Sequence, residues 1–239
     1  MRRLLRYTRL RLQEILRYPS FVLPTMGLPL LFYLIFGTTS GADPLPLVFG
    51  YLAFSMLGTA VFHFGAAVAA EREQPWSLYL LSLPASGTIR IASLILANIA
   101  LTVLFAAPIA IAGLLLGAFA GSPGGTLTLG SAALLLGAVV QGAFGLVLGY
   151  WLPVKGAGPI ATVLYFPLAA LSGLWGGMNL GVLSDIGAWL PPGAWSRLIN
   201  SALASEISWP ALGLLGGYLI LFTALGVLGY QRIQQTVYR

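Results

Sequence analysis

The chain has no cysteine, a single histidine (His63), a single lysine (Lys155), and charges on only 8% of its 239 residues. Without cysteine there can be no disulfide, zinc–thiolate site or thiol nucleophile. With one histidine there is no histidine pair for a metal, and neither a metal set nor a catalytic constellation is expected. Lys155 stands between Val154 and Gly156. The Gly-Lys-Ser/Thr core of a phosphate-binding loop is therefore missing, and nucleotide hydrolysis by that route is excluded. The scarcity of charge excludes more. A soluble domain carries about 25% charged residues, and a water-facing surface cannot be built from a chain that is 58% hydrophobic and 8% charged.

In place of charge there are six long apolar stretches. An apolar run of ~20 residues crosses a bilayer. Spans are expected at about Ser20–Phe36, Val48–Ala70, Ile91–Phe119, Leu127–Leu152, Ala157–Met178 and Pro210–Tyr230. The expected fold is an all-α integral membrane protein, one transmembrane domain over residues 1–239. Eleven of the 12 Lys and Arg residues fall on alternate gaps, and only Arg197 falls on the others. Cytoplasmic loops hold the excess of Lys and Arg. Both termini are therefore expected in the cytoplasm, with the chain a multi-pass protein of the cell's inner (cytoplasmic) membrane. The net charge of +6 flanks spans, so anionic lipid head groups are the expected partner, and nucleic acid is not.

Residues 1–17 read as an amphipathic interfacial helix. Leu4, Leu5, Leu12, Ile15 and Leu16 share one arc at helical spacing, and Arg2, Arg3, Arg6, Arg9 and Arg17 share the opposite one. A cleaved basic leader is the alternative, but a clear small-x-small cleavage site is lacking. Residues 179–208 are too apolar for a free loop, and Pro191-Pro192 divides them into two pieces too short to span. Two short helices are expected there, either re-entering the membrane or lying on its surface. Trp151, Trp189, Trp195 and Trp209 sit near span ends, as interface anchors do.

The spans hold few polar groups. No Asp or Glu falls inside them, although proton-coupled transporters usually place one there. His63, between Phe62 and Phe64, is the one intramembrane titratable candidate, as a hydrogen-bonded packing residue or as a relay. Asn98 and Gln141 are expected to hydrogen-bond between helices, at roughly 0.6–2 kcal/mol each, with contact to a transported molecule as the alternative. The pairs Gly113/Gly117, Gly145/Gly149, Gly173/Gly177 and Gly213/Gly217 are expected to pack helices closely. Phe32, Tyr33, Phe54, Phe62, Phe64, Tyr165 and Phe166 offer aromatic walls that suit a lipophilic or amphipathic cargo and suit lipid equally well.

The segment 71–90 is the best candidate site. It reads Glu71-Arg72-Glu73-Gln74-Pro75-Trp76 and continues through Tyr79, Leu80 and Pro84 to Ser86. Pro75 suits the first turn of a helix, and Pro84 ends it about two turns later. The acidic pair favours the positive helix N-terminus. A short, partly apolar helix under the membrane results, with Trp76, Tyr79 and Leu80 facing either a protein groove or lipid.

This cluster, with the leucine-rich stretch and Pro-x-Ser that follow it, resembles the permease subunits of ABC-2-type transporters. Leu171-Ser172-Gly173, with Leu190-Pro191 downstream, resembles that family's pattern between spans 5 and 6. The resemblance covers essentially the full chain through loose motifs in the right order. It implies two permease copies, most simply a homodimer, docked on two cytoplasmic ATP-binding subunits that hold ATP and Mg. This chain itself would carry no cofactor. It also implies that Gln74–Leu83 is the coupling helix with Glu71 and Glu73 at its hinge, and that spans 1, 2 and 5 move around a central path. Among residues of that path, His63, Asn98, Gln141, Phe62 and Tyr165 are the candidates. One departure is Pro75-Trp76, where the family usually has Gly-Thr. The competing readings are a stand-alone secondary transporter or channel and, improbably on the residues present, a membrane enzyme.

Overall fold

In the computed structural model, which describes residues 13, 17, 19–72, 87–176 and 181–237, the chain is helical throughout those residues, with no strand among them. Helix α1 (Pro19–Phe32) runs into a π-helical turn, Tyr33–Gly37. Helix α2 (Pro44–Gly58) continues through a nine-residue π segment, Thr59–Ala67, into α3 (Val68–Glu71). Then follow α4 (Gly87–Leu115), α5 (Gly124–Trp151), α6 (Val154–Leu171), α7 (Val182–Trp189), α8 (Pro191–Leu203) and α9 (Trp209–Val237). Four helical stretches among the described residues are long and apolar enough to cross a membrane: Pro44–Ala70, Gly124–Trp151, Val154–Leu171 and Trp209–Arg232. Thr25–Gly37 and Ile99–Leu115 are shorter apolar helices. The amphipathic helix expected over residues 1–17 falls almost wholly outside the described residues. Of it, Arg17 N–H donates to Gln13 C=O at 3.2 Å, one helical turn.

The helices stop where backbone chemistry stops them. The third span was expected to reach Phe119, yet α4 ends at Leu115. Gly117 adopts φ +76°, Gly117 N–H bonds Leu114 C=O, and Ala118 N–H bonds Gly113 C=O at 2.8 Å. That is a Schellman stop, in which a left-handed residue lets the chain satisfy the helix's last carbonyls. The fifth span was expected to reach Met178, but α6 ends at Leu171 by the same device, with Gly173 at φ +70°. Ser205 plays this part after α8 at φ 61°, with Glu206 N–H on Ser201 C=O. Two of the glycine pairs expected to pack helices thus contain a terminator, Gly117 in one and Gly173 in the other, while Gly113 does pack: a Cβ there would lie 2.6 Å from Val48 Cγ2 on α2. A third pair, Gly213/Gly217, faces open space.

The fourth pair does pack. A Cβ on Gly145 would strike Ala60 C=O and Phe64, and one on Gly149 would strike Phe64 C=O and Val68. Ala60, Phe64 and Val68 recur every four residues, so the π segment and α3 lie backbone to backbone along α5. Close approach of this kind needs small residues. Nearer the start of α5 the same face meets Trp195. Its indole fills the space over Gly137, and its Nε1 donates to Ala133 C=O at 3.1 Å.

The segment between α6 and α9 divides as its proline pair suggested: α7 ends at Trp189 and Pro191 opens α8. The two helices lie in different surroundings. Helix α8 is buried in the protein from Pro191 to Ser196, whereas α7 exposes Val182, Leu183 and Ile186. Trp195 is therefore not an interface anchor. It is 0% exposed, against 67% for Trp189 and 70% for Trp209. Tryptophan carries a large apolar body and one polar atom, and here that atom has a protein acceptor, which removes the need for an aqueous edge.

Candidate functional site

Two places gather the functional groups along the continuous helix Pro44–Glu71, one near its middle and one at its end. Midway, Phe54 stacks on Tyr165 of α6, with ring centres 4.6 Å apart and planes 8° from parallel. The Tyr165 hydroxyl donates to Phe54 C=O at 3.1 Å. Phe62 meets Tyr165 edge-on, with ring centres 5.4 Å apart. Phe32 of α1 and Trp175, beyond the end of α6, both lie against Phe54, at 6.0 and 5.4 Å. Tyr33 contacts Tyr51 at 5.4 Å. An aromatic cluster thus joins α1, α2 and α6.

The cluster is not wholly satisfied. Among the described residues, Tyr51 Oη, Ser172 Oγ and Trp175 Nε1 are buried without a hydrogen-bond partner. An unpaired buried donor of this kind costs about 1–3 kcal/mol, so these groups favour a hydrogen-bonding molecule in contact with them. The sequence reading named Phe62 and Tyr165, and the fold brings them together. It passed over Tyr51, Ser172 and Trp175. A hydroxyl and an indole inside apolar runs were the available signal.

The other path candidates are dispersed. His63 is buried in the π segment, with its ring 5.2 Å from Phe105 on α4. Ser55 Oγ, two turns earlier, donates to Phe105 C=O at 3.1 Å, in the turn of α4 that Pro108 disturbs. Gln141 is fully buried on α5, and the hydrogen bond expected of it is not made: neither its Oε1 nor its Nε2 has a partner. Gly137 and Gly145, one turn to either side, are pressed by the Trp195 indole and by the backbone at Ala60, and no donor or acceptor reaches the Gln141 amide. Asn98 lies on α4, and its side chain is outside those described.

At its other end, helix α3 finishes at Glu71. Arg72 reaches across to α5, where Nη1 donates to Tyr150 C=O and Nη2 to Leu152 C=O at 2.6 Å. The last carbonyls of a helix lack internal partners and carry partial negative charge. The planar guanidinium fork supplies two donors and a positive charge to them at once. The remaining coupling candidates, Glu73, Gln74, Pro75, Trp76, Tyr79, Leu80 and Pro84, lie outside the described residues. At the same end, Trp151 Nε1 donates to Leu225 C=O at 3.0 Å, and Arg232 lies 5.8 Å from the centre of that ring. No group of three or more metal-ligating side chains occurs among the described residues.

No protein-family model and no solved structure matches the chain. A Bacillus subtilis (strain 168) protein named "Putative transport permease YvfS" is 28% identical over 230 residues, which cover 90% of this chain and 91% of that one. A likeness of that length, on apolar helices able to cross a membrane several times, supports a membrane transport function and the resemblance to the ABC-2-type permease family.

Proposed function

We propose that the chain is the membrane-spanning permease subunit of an ATP-driven exporter, moving a lipophilic or amphipathic molecule out of the cytoplasm. It crosses the membrane six times, with both termini in the cytoplasm. The observation that carries this reading is the unbroken helical rod from Pro44 to Glu71. One half of it holds the aromatic cluster. Its end holds the Glu-Arg-Glu cluster, from which the coupling segment departs. A push on that segment is delivered to the rod and, through Arg72, to α5. The chain has no phosphate-binding loop of its own, so ATP and Mg are held by a separate ATP-binding subunit, two copies of which serve two copies of this chain.

Co-expression with the ATP-binding subunit tests the reading. The pair should copurify, and Glu73→Ala or Trp76→Ala should weaken the association while leaving the permease in the membrane. Transport that persists in vesicles containing this chain and no ATP-binding subunit would sink the proposal. It would favour the stand-alone transporter instead.

A further inference from the structure

At the end of the bundle opposite Arg72, a cavity of about 310 Å³ opens between α2, α8 and the turn after α6. Asp43, Leu47 and Gly50 line it from one face of α2, at spacings of four and three residues. Ser196 and Asn200, four residues apart, line it from α8, and Leu174 closes it from the turn. Glycine shapes the walls. A Cβ on Gly50 would strike Leu174 C=O, and one on Gly176 would lie 2.6 Å from Leu47 Cδ1. Gly176 also adopts φ +89°, which side chains rarely tolerate.

The chemistry of the cavity has one sign. Asp43 is the sole ionisable residue among those lining it, set beside the neutral Ser196 and Asn200. Its Oδ1 accepts from Leu45 N–H at a long 3.4 Å and caps α2. The helix N-terminus contributes about half a positive charge, which the full carboxylate charge outweighs. Arg197, on the same helix as Ser196, does not line the cavity; its guanidinium lies 5.8 Å from the centre of the Trp189 ring. Asp185 and Glu206, like Arg197, do not line the cavity. Asp43 is thus the charge a bound molecule meets among the described lining residues, and it favours a cation.

We infer that this cavity is a binding site for a small molecule with a cationic head and a short apolar body, such as a protonated primary amine. The carboxylate holds the charge, the Asn200 and Ser196 side chains take hydrogen bonds, and Leu47 and Leu174 cover the hydrocarbon. Ligand pockets run from about 300 to 1,000 Å³, so the volume admits a head group or a compact molecule. Such a head on a departing cargo would be met here. That identification as cargo rests on the exporter reading, whereas the binding itself does not.

The test uses the full chain in uncharged maltoside detergent, without ATP or a partner subunit. Benzylammonium is the probe and phenylmethanesulfonate its anionic counterpart, with binding followed by saturation-transfer NMR. Asp43→Asn is the decisive variant. Asn caps helices as well as Asp does, so α2 keeps its start and only the charge is lost. Saturable binding of the cation is expected, about fivefold weaker in Asp43→Asn, with no saturable binding of the anion. Asn200→Leu should weaken the cation as well. Equal affinity in the wild type and Asp43→Asn, equal binding of the anion, or no saturable binding of the cation would each overturn the inference. None of these results depends on transport, so the site and the exporter reading stand or fall separately.

Discussion

Single atoms decide several positions in this fold. The indole of Trp195 fills the space a Cβ would need at Gly137, and Trp195 is itself fully enclosed and bonded to Ala133 C=O. Nothing there can give way. Gly137→Ala should therefore lower the thermal unfolding midpoint in detergent by several degrees, while Gly213→Ala, which faces open space, should leave it unchanged or raise it through better helix propensity. Ser205 presents a balance of opposing effects. Its positive φ is strained for any side chain, at about 1 kcal/mol, but its Oγ lies 3.2 Å from Thr126 Oγ1 and ties the end of α8 to the start of α5. Ser205→Gly loses the tie and the strain together, so its midpoint should stay near that of the wild type. Ser205→Ala loses the tie and keeps the strain, and should melt lower than either. Reversal of that order in a thermal shift series would refute the balance. His63, packed on Phe105, should matter little to a partner-driven transporter. His63→Ala with transport unaltered between mildly acidic and mildly basic pH is the expected result, and a lost pH dependence would revive the relay.

At the scale of elements, Arg72 binds the end of α3 to the end of α5. Arg72→Lys keeps the charge but replaces a planar fork by a single ammonium that cannot reach two carbonyls with the same geometry. Faster amide hydrogen exchange in the last turn of α5 is expected in that variant, with the α5 segment near Gly137 unchanged. If exchange is the same as in wild type, the clamp carries no structural weight. This level also shows how far the sequence could be read. Apolar runs and proline breaks are local signals, so the helices themselves and the division at Pro191 were legible. Helix faces were not. In lipid, both the buried and the exposed side of a helix are apolar. The periodic contrast that marks a core face in a soluble helix is weak in the long spans; α8 does carry it, but the position of Trp195 and Trp189 near span ends, taken alone, made the two look alike. The glycine stops escaped for a related reason: Gly117 and Gly173 sit in runs where four-residue glycine spacing suggested packing. The reach of Arg72 to carbonyls 78 and 80 residues away leaves no local trace at all.

For the molecule as a whole, the alternation of positive charge implies opposite compartments for the two ends of the bundle. Tags at Arg3 and Arg197 should be reachable from opposite sides of the membrane in intact cells. Labelling of both from one side would dismantle the six-span topology and, with it, the placing of the coupling segment beside a cytoplasmic motor.

The meshing of Ala60, Phe64 and Val68 with Gly145 and Gly149 leaves those two rods no room to slide, since each carbonyl already rests on its neighbour's main chain. Whatever parts to let a molecule through must therefore give elsewhere. The flat stack of Phe54 on Tyr165 can shear at the loss of one hydrogen bond, that of the Tyr165 hydroxyl to Phe54 C=O. The gate would then swing with α6, and the glycine seam would be its doorpost.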